Sequence, residues 1–367
     1  MTFGARALIR LGALNKNLNV IQNAAPGARV MAVIKANAYG HGMEAVAQTL
    51  DGADAFAVAR LPEAVGLHEA GIEKPLVLLA GAITAAELNE ALARRFQVVV
   101  HCMEQVDLLE AANGGSTVVW LKFDTGMNRL GFAPEAADAL IARLRACPAV
   151  SELRLMSHLA SADELDNPIT EEQFARFREI VEGFDGAVSV ANTPATMGWP
   201  QVADAQQELG FKGEHWIRPG LALFGVSPFS GRNGRDLDLT PVMQFEARLI
   251  ATKPLSEGAR VGYRGRYQAQ ADSTLGIISA GYGDGYTRHF RTGTPVLING
   301  RRVPLIGHVS MDMIAVDLGD DASDQVGDIA TLWGEGLPVE EVAPWADAIP
   351  YELVCGVMHR ENSQIID

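Results

Sequence analysis

The alternation of two residue patterns along residues 28–225 constrains the fold more than any other feature of the sequence. Short apolar runs of strand length are separated by amphipathic stretches with helical periodicity. Eight strands that alternate with helices over about 200 residues predict an α/β fold, the (β/α)8 or TIM barrel. The predicted strands are Val30–Ile34, Ala55–Val58, Pro75–Leu79, Phe96–Val100, Thr117–Phe123, Leu153–Ser157, Ala187–Ala191 and Trp216–Arg218. The predicted helices are Met43–Leu50, Pro62–Glu69, Ala85–Arg94, Met103–Ala111, Pro134–Arg145 and Glu171–Glu182.

The pattern changes after Ser230–Gly234, a polar junction that contains two glycines. The runs beyond it are strand-like, with turns and almost no helical periodicity, which predicts a separate β-rich domain. We therefore predict a barrel over residues 11–230 and a C-terminal β domain over residues 235–367, with residues 1–10 as a candidate addition to the β domain. The predicted strands of this domain are Gln244–Thr252, Thr274–Ser279, Thr294–Ile298, Arg302–Leu305, Met313–Leu318 and Asp328–Leu332.

Composition excludes several classes of partner. The net charge of −15 argues against sequence-independent nucleic-acid binding, which needs basic surface to neutralise phosphates. No uninterrupted apolar span reaches membrane length, and Met1–Arg10 lacks the apolar core of a signal peptide. The cysteines Cys102, Cys147 and Cys355 are far apart and form neither a disulfide framework nor a metal pattern, and the histidines show no ligand spacing. We expect a soluble, cytoplasmic protein that binds no metal, nucleic acid or membrane.

Polar side chains follow the ends of the predicted barrel strands. Lys35 ends the first strand, Lys122 and the loop Asp124–Arg129 end the fifth, and His158 ends the sixth. Functional residues of (β/α)8 barrels lie at these carboxyl ends. A lysine whose pKa is lowered by burial can form a Schiff base with a carbonyl, whereas a solvated strand-end lysine has no such chemistry.

The loops after the seventh and eighth strands suit a phosphate group. Asn192 and Thr193 end the seventh strand and Arg218 ends the eighth, and barrels often bind phosphate at these two loops. The Thr193 hydroxyl and free backbone amides around Gly220 and Leu221 would cradle an anion. A Schiff-base lysine and a phosphate site in one barrel mouth imply pyridoxal 5'-phosphate, which joins an aldehyde to a phosphate arm.

The stretch Ala32–Gly42, with Lys35 at its fourth position, resembles the cofactor-attachment signature of alanine racemases. The resemblance covers essentially the whole chain, although the tail Arg360–Ser363 lacks the family's Pro-Arg pair. It implies interconversion of L- and D-alanine, for peptidoglycan supply or alanine catabolism, by a homodimer with shared active sites. The other matching segments are Lys122–Phe132, Ser157–Ala160, Arg218–Gly225, Tyr263, Gly281–Tyr286, Val309–Asp312 and Tyr351-Glu352.

The resemblance also implies a role for each matching residue. Lys35 would hold the cofactor and act as one base, and Tyr263 of the partner subunit would act as the opposite base. Arg218 would face the pyridine nitrogen, with His158 hydrogen-bonded to it. Lys122 matches a position that is carbamylated in some members. The remaining cofactor-binding residues would be Tyr39, Asn192, Thr193, Gly220, Leu221 and Tyr351, and the substrate-binding residues Arg129, Met311, Tyr282 and Asp312.

Two bases make physical sense for a racemase. One group removes the α-hydrogen from one face and another returns a proton to the opposite face, so the substrate need not move. A tyrosine normally titrates near ~10. Tyr263 therefore needs a cationic neighbour in order to act as a base.

Other functions can be weighed on the same residues. Gly40–Ala45 fits the dinucleotide fingerprint G-x-G-x-x-A, but the residues from Lys35 to Tyr39 separate it from the strand that it should follow directly. Gly281–Gly285 lacks the lysine of a nucleotide-binding loop. A non-catalytic pyridoxal-phosphate carrier would match the barrel alone. A barrel decarboxylase would usually place an acidic residue where Arg218 stands.

Overall fold

The computed structural model describes residues 4–357 and 363–366. Residues 1–3 of the N-terminal segment and residues 360–362 of the tail singled out above lie outside these ranges. The strands are β1 (Arg6–Arg10), β2 (Arg29–Val33), β3 (Ala55–Val58), β4 (Leu76–Leu78), β5 (Gln97–Val100), β6 (Thr117–Lys122), β7 (Val150–Met156), β8 (Val188–Asn192), β9 (His215–Arg218), β10 (Met243–Leu255), β11 (Arg260–Val261), β12 (Tyr267–Gln268), β13 (Ser273–Ile278), β14 (Pro295–Ile298), β15 (Arg301–Ile306), β16 (Ile314–Asp317), β17 (Ile329–Trp333) and β18 (Ser363–Ile366).

The helical segments are α1 (Leu11–Ala24), α2 (Lys35–Gly40), α3 (Met43–Thr49), α4 (Leu61–Glu69), α5 (Ala85–Ala93), α6 (Met103–Glu110), α7 (Ala137–Arg145), α8 (Ile169–Val181), α9 (Thr193–Gly198), α10 (Ala205–Leu209), α11 (Val339–Val342) and α12 (Pro350–Cys355). Short 3₁₀ turns cover Pro134–Ala136, Pro200–Val202, Leu221–Phe224, Gly234–Leu237, Tyr263–Gly265, Tyr282–Asp284 and Ala343–Ala346. The chain forms two compact units. The barrel unit comprises Asn15–Ala38 and Met43–Leu223, and the β unit comprises the described residues of 1–14, 39–42 and 224–367.

The barrel unit is a closed barrel of eight parallel strands, β2 to β9, in sequence order. This confirms the predicted fold and excludes the doubly wound sheet that a dinucleotide-binding domain requires. Strands such as β3 are buried at every position, as expected for parallel strands covered on both faces. The helices begin where the local sequence favours it. In α5, for example, the Thr84 side chain accepts a hydrogen bond from the amide of Glu87 at 3.2 Å.

The β unit contains an eight-stranded sheet in the order β13-β16-β15-β14-β17-β10-β1-β18. Each of the six predicted strands of this region is present, with ends that differ by up to three residues. Strand β1, from the N-terminal segment, pairs antiparallel with β10 and parallel with β18. The helices α11 and α12 are not predicted by the sequence pattern. The domain boundaries at residues 11–230 and 235–367 stay predictions.

The described residues contain no helix that is both long and apolar enough to cross a membrane.

Candidate active site

Lys35 stands at the start of an unusual backbone segment that directly follows β2. Ala36, Asn37, Ala38 and Tyr39 all have φ of +53° or +54°, so α2 is left-handed. This conformation costs L-residues other than glycine roughly 1–2 kcal/mol each. Strain of this kind is characteristic of functional sites. The sequence does not predict this conformation, because among residues 36–39 Asn37 alone is a residue type that favours a left-handed conformation.

Gly40 closes the left-handed segment, with a φ of +82°. A Cβ atom at this position would lie 2.2 Å from the backbone oxygen of Val354 in α12. Only glycine fits, both because of the positive φ and because of this close approach. Gly40, the first glycine of the segment that fits the dinucleotide fingerprint, therefore serves backbone geometry in the β unit.

Arg218 lies at the carboxyl end of β9 with its side chain buried. Its guanidinium donates to Ser189 Oγ at 2.6 Å, to the carbonyl oxygen of Ser157 at 2.6 Å and to that of Val190 at 3.3 Å. No carboxylate pairs with it in the described part of the chain. Burial lowers the pKa of Arg218 to about 10, so the group remains charged at neutral pH.

His158 follows β7 and meets Arg218. The Nη2 atom of Arg218 lies 3.3 Å from His158 Nδ1. Burial, followed by the positive charges of Arg218 and Lys122, holds the pKa of His158 well below its usual value. Because an arginine can only donate, Nδ1 must be the unprotonated nitrogen that accepts. The imidazole is therefore neutral and fixes the orientation of the guanidinium.

Lys122 at the end of β6 is also buried. Burial lowers its pKa to about 8, and the charges of Arg218 and Arg129 act in the same direction. We call Lys35, Lys122, Arg129 and Arg218 the cationic cluster. A concentration of positive charge attracts an anion, so the cluster suits a cofactor with a phosphate and a substrate with a carboxylate.

The loops after β8 and β9 are tied together at the predicted phosphate site. The amide of Gly220 donates to the buried hydroxyl of Thr193 at 2.8 Å. This bond occupies an amide that was expected to be free. The expectation was wrong because residue types alone do not indicate such a hydrogen bond. Asn192 caps α9 by accepting from the amide of Ala195 at 3.2 Å. Leu221 is buried at the start of a 3₁₀ turn.

Tyr39 and Tyr351, both predicted to bind phosphate, lie side by side in the β unit. Their ring centroids are 5.8 Å apart, and Tyr39 also packs against Phe224 at 5.1 Å. Burial, with smaller contributions from Tyr351 and Cys355, raises the pKa of Tyr39. The Tyr39 hydroxyl therefore stays protonated and can donate a hydrogen bond to an anion.

Tyr263 begins a 3₁₀ turn of the β unit, and its side chain is 73 % exposed. One groove beside it is lined by Met311 and Asp312, both predicted to bind substrate. A second groove beside it is lined by the basic side chains Arg264, Arg266, Arg288, His289 and His308. A cationic neighbour of Tyr263 was expected from the sequence. The basic groove itself could not be predicted, because its residues are dispersed along 45 positions of the chain.

Tyr282 is held next to the Met311 loop. Its amide donates to the carbonyl oxygen of Ser310 at 3.0 Å, and the amide of Gly283 donates to that of Met311 at 2.9 Å. A Cβ atom at Gly281 would lie 2.3 Å from the same Met311 oxygen. The predicted substrate-binding residues of the β unit thus belong to one pair of connected loops.

Comparison with known proteins identifies the family of this chain. The family model described as "Alanine racemase, N-terminal domain" matches residues 9–228, and "Alanine racemase, C-terminal domain" matches residues 242–365. The chain is 47 % identical over 352 residues to the alanine racemase of Vibrio parahaemolyticus, covering 95 % of this chain and 96 % of that protein. It is 46 % identical over 358 residues to the alanine racemase of Vibrio cholerae, covering 97 % and 96 %.

Solved structures give the same result. The biosynthetic alanine racemase from Pseudomonas aeruginosa has a TM-score of 0.90 and 39 % identity, with 98 % of each chain covered. The alanine racemase from Acinetobacter baumannii has a TM-score of 0.88 and 33 % identity, with 100 % of each chain covered. These matches run over both units, from β1 to the C-terminal sheet. The chain belongs to the alanine racemase family.

Proposed function

We propose that this enzyme interconverts L-alanine and D-alanine with pyridoxal 5'-phosphate bound in the mouth of the barrel. The observation that carries the proposal is Arg218, a buried guanidinium at the end of β9 that pairs with no carboxylate among the described residues. An acid at this place would favour a decarboxylase or an aminotransferase. Family membership supports the same conclusion, because alanine racemases depend on pyridoxal phosphate.

Two side chains of this protein would move the proton. Lys35 would act at one face of the substrate's α-carbon, and Tyr263 of the partner subunit at the other. When bound, the cofactor supplies a carbonyl that combines with the substrate's amino group and a ring that withdraws electrons from the α-carbon.

The charge of Arg218 would favour racemisation over side reactions. Arg218 keeps its charge at neutral pH, because its pKa is about 10. It would therefore not supply a proton to the pyridine nitrogen of the bound cofactor, which would limit side reactions such as transamination.

The remaining predicted roles form part of the same proposal. Thr193 and Asn192, at the start of α9, would hold the phosphate with the backbone around Gly220 and Leu221. Arg129 would orient the substrate carboxylate or Tyr263. Met311, Tyr282 and Asp312 would close the substrate entrance from the partner subunit of a homodimer. The roles of Tyr39 and Tyr351 toward the phosphate, and the cytoplasmic location, stay predictions.

The proposal is tested by measuring D-alanine formation from L-alanine. We expect Lys35→Ala to lose both cofactor attachment and racemisation. Tyr263→Phe should retain the cofactor and lose most of the activity, since one acid–base group contributes typically about 10²–10⁴-fold. Undiminished racemisation in either variant would contradict the two-base assignment. A holoenzyme inert toward every amino acid would favour a carrier, and carbon dioxide release from a diamino acid would favour a decarboxylase.

A further inference from the structure

We propose that Glu63 is a positioning residue for Lys35. Its carboxylate holds the left-handed turn α2 and so fixes the direction in which the chain leaves the lysine. The inference rests on the proposed function of Lys35 as cofactor anchor. It concerns a residue on the next β/α unit of the barrel.

The carboxylate of Glu63 accepts three backbone hydrogen bonds. Two are ordinary for a glutamate near the start of a helix, because Oε2 accepts from the amides of Ala59 and Arg60 at 2.8 and 3.0 Å. The third hydrogen bond comes from a donor far from this helix in the sequence. Oε1 accepts from the amide of Ala36 at 2.7 Å, across 27 positions of sequence. Glu63 therefore joins the start of α4 to the residue that follows Lys35.

This third bond acts on the backbone of Lys35 itself. The amide of Ala36 and the carbonyl of Lys35 belong to one planar peptide group. Fixing that amide fixes the ψ angle of Lys35. Hydrogen bonds to a carboxylate are about twice as strong as neutral ones, which suits them to hold a strained segment.

The turn needs such support because its backbone conformation is unfavourable for residues other than glycine. Ala36 is exposed and its φ is +53°, a conformation that alanine rarely adopts. Bonds of the barrel unit that hold the turn include that of Glu63 and that of Asn37, whose Oδ1 accepts from the amide of Met43 at 2.9 Å. The amide of Ala38 also donates to the carbonyl oxygen of Ile34 at 2.9 Å. Without Glu63, the segment is expected to relax toward ordinary φ values.

Glu87 provides a matched control. It occupies the same position in α5 that Glu63 occupies in α4, and its Oε2 accepts from the amide of Ile83 at 2.8 Å. Its described hydrogen bonds stay within the start of its own helix. A substitution at Glu87 thus perturbs the start of a barrel helix without touching the turn after Lys35.

The experiment compares Glu63→Gln and Glu87→Gln holoenzymes. Glutamine offers one acceptor oxygen, so it cannot serve both the cap and Ala36. We expect the Kd of Glu63→Gln for pyridoxal phosphate, from equilibrium dialysis, to rise about tenfold, equivalent to ~1.4 kcal/mol. Hydrogen exchange of a peptide spanning residues 34–42 should accelerate and kcat should fall. Glu87→Gln should match the wild type in all three, although both variants lose some thermal stability.

Two further variants keep the proposal testable if Glu63→Gln folds poorly. Glu63→Asp keeps a carboxylate for the cap but is too short to reach Ala36, so it should share the loss if Glu63→Gln folds poorly. Adding Ala36→Gly to Glu63→Gln should recover part of the affinity, because glycine adopts positive φ freely. Wild-type cofactor affinity in Glu63→Gln and Glu63→Asp would overturn the proposal. A wild-type enzyme without racemase activity would instead refute the proposed function, while affinity and exchange still test Glu63.

Discussion

At the scale of single residues, a buried histidine of the barrel makes the stability of the protein depend on pH. His215, on β9, is buried, and burial followed by the charge of Arg218 lowers its pKa to about 4. An unfolded chain titrates its histidines near ~6.5. Between these values the unfolded state binds the proton and the folded state does not. The contribution of His215 to stability is therefore present above about pH 6.5 and is lost as the pH falls toward about 4.

Replacing His215 with glutamine should remove its pH-dependent contribution to the free energy of unfolding. The pKa difference corresponds to roughly 3 kcal/mol. We expect the wild type to lose up to that amount of unfolding free energy, relative to His215→Gln, between about pH 7 and pH 4.5. Urea unfolding at the two pH values measures it. Parallel losses in the two proteins would contradict the assignment.

Lys122 carries a second residue-scale prediction, its carbamylation. With a pKa of about 8, part of the amine is neutral at physiological pH and can attack carbon dioxide. The nitrogen bonds to the carbon and releases one proton, which leaves an anionic carbamate beside Arg218 and Arg129. At constant carbon dioxide pressure its occupancy should rise as the pH rises through about 8. Carbon-13 NMR in labelled bicarbonate would show a carbamate signal that Lys122→Ala lacks; no signal in the wild type would refute the modification.

Some features of single residues could be predicted from the sequence, and others could not. Lys35, His158 and Arg218 could be placed at strand ends because the strand count identifies the functional face of the barrel. The left-handed turn could not be predicted, because Ala36 and Ala38 have no intrinsic preference for positive φ. Hydrogen bonds such as that of Gly220 with Thr193 depend on tertiary approach, which residue types alone do not indicate.

At the scale of elements, strand β1 links the N-terminal segment to the C-terminal sheet. It lies between β10 and β18, and Ile9, opposite Ile365 in the register, is completely buried. The sequence suggested only that residues 1–10 accompany the β domain, since five residues of strand propensity do not specify a partner. The strands β10 and β13 to β17 are clearer in the sequence, because turn residues bound each strand-like run and several such runs follow one another.

Ile9 and Ile365 allow a direct comparison within this pair of strands. We expect Ile9→Ala to cost about 2–5 kcal/mol of unfolding free energy, because it leaves a cavity in a fully buried place. Ile365→Ala should change stability by no more than about 0.5 kcal/mol, since that side chain is 56 % exposed. Equilibrium unfolding in urea measures both. Equal costs would contradict the burial of β1.

At the scale of the whole molecule, the proposed homodimer predicts exposed apolar and aromatic side chains at its interface. Tyr263, Tyr282, Met311 and Met313 are exposed by 73, 41, 48 and 46 % and lie on connected loops of the β unit. Exposed apolar side chains of this kind suit the proposed interface between protomers. They include the residues proposed to enter the partner's active site.

The central claim, that each active site takes Lys35 from one chain and Tyr263 from the other, is tested most directly by mixing two inactive variants. Lys35→Ala and Tyr263→Phe are co-expressed with different tags, and D-alanine formation is measured on each homodimer and on the mixture. Random pairing makes half of the dimers hybrid, with one intact site each, so we expect about one quarter of wild-type activity. A mixture as inactive as its components, with hybrids demonstrably present, would contradict the shared site.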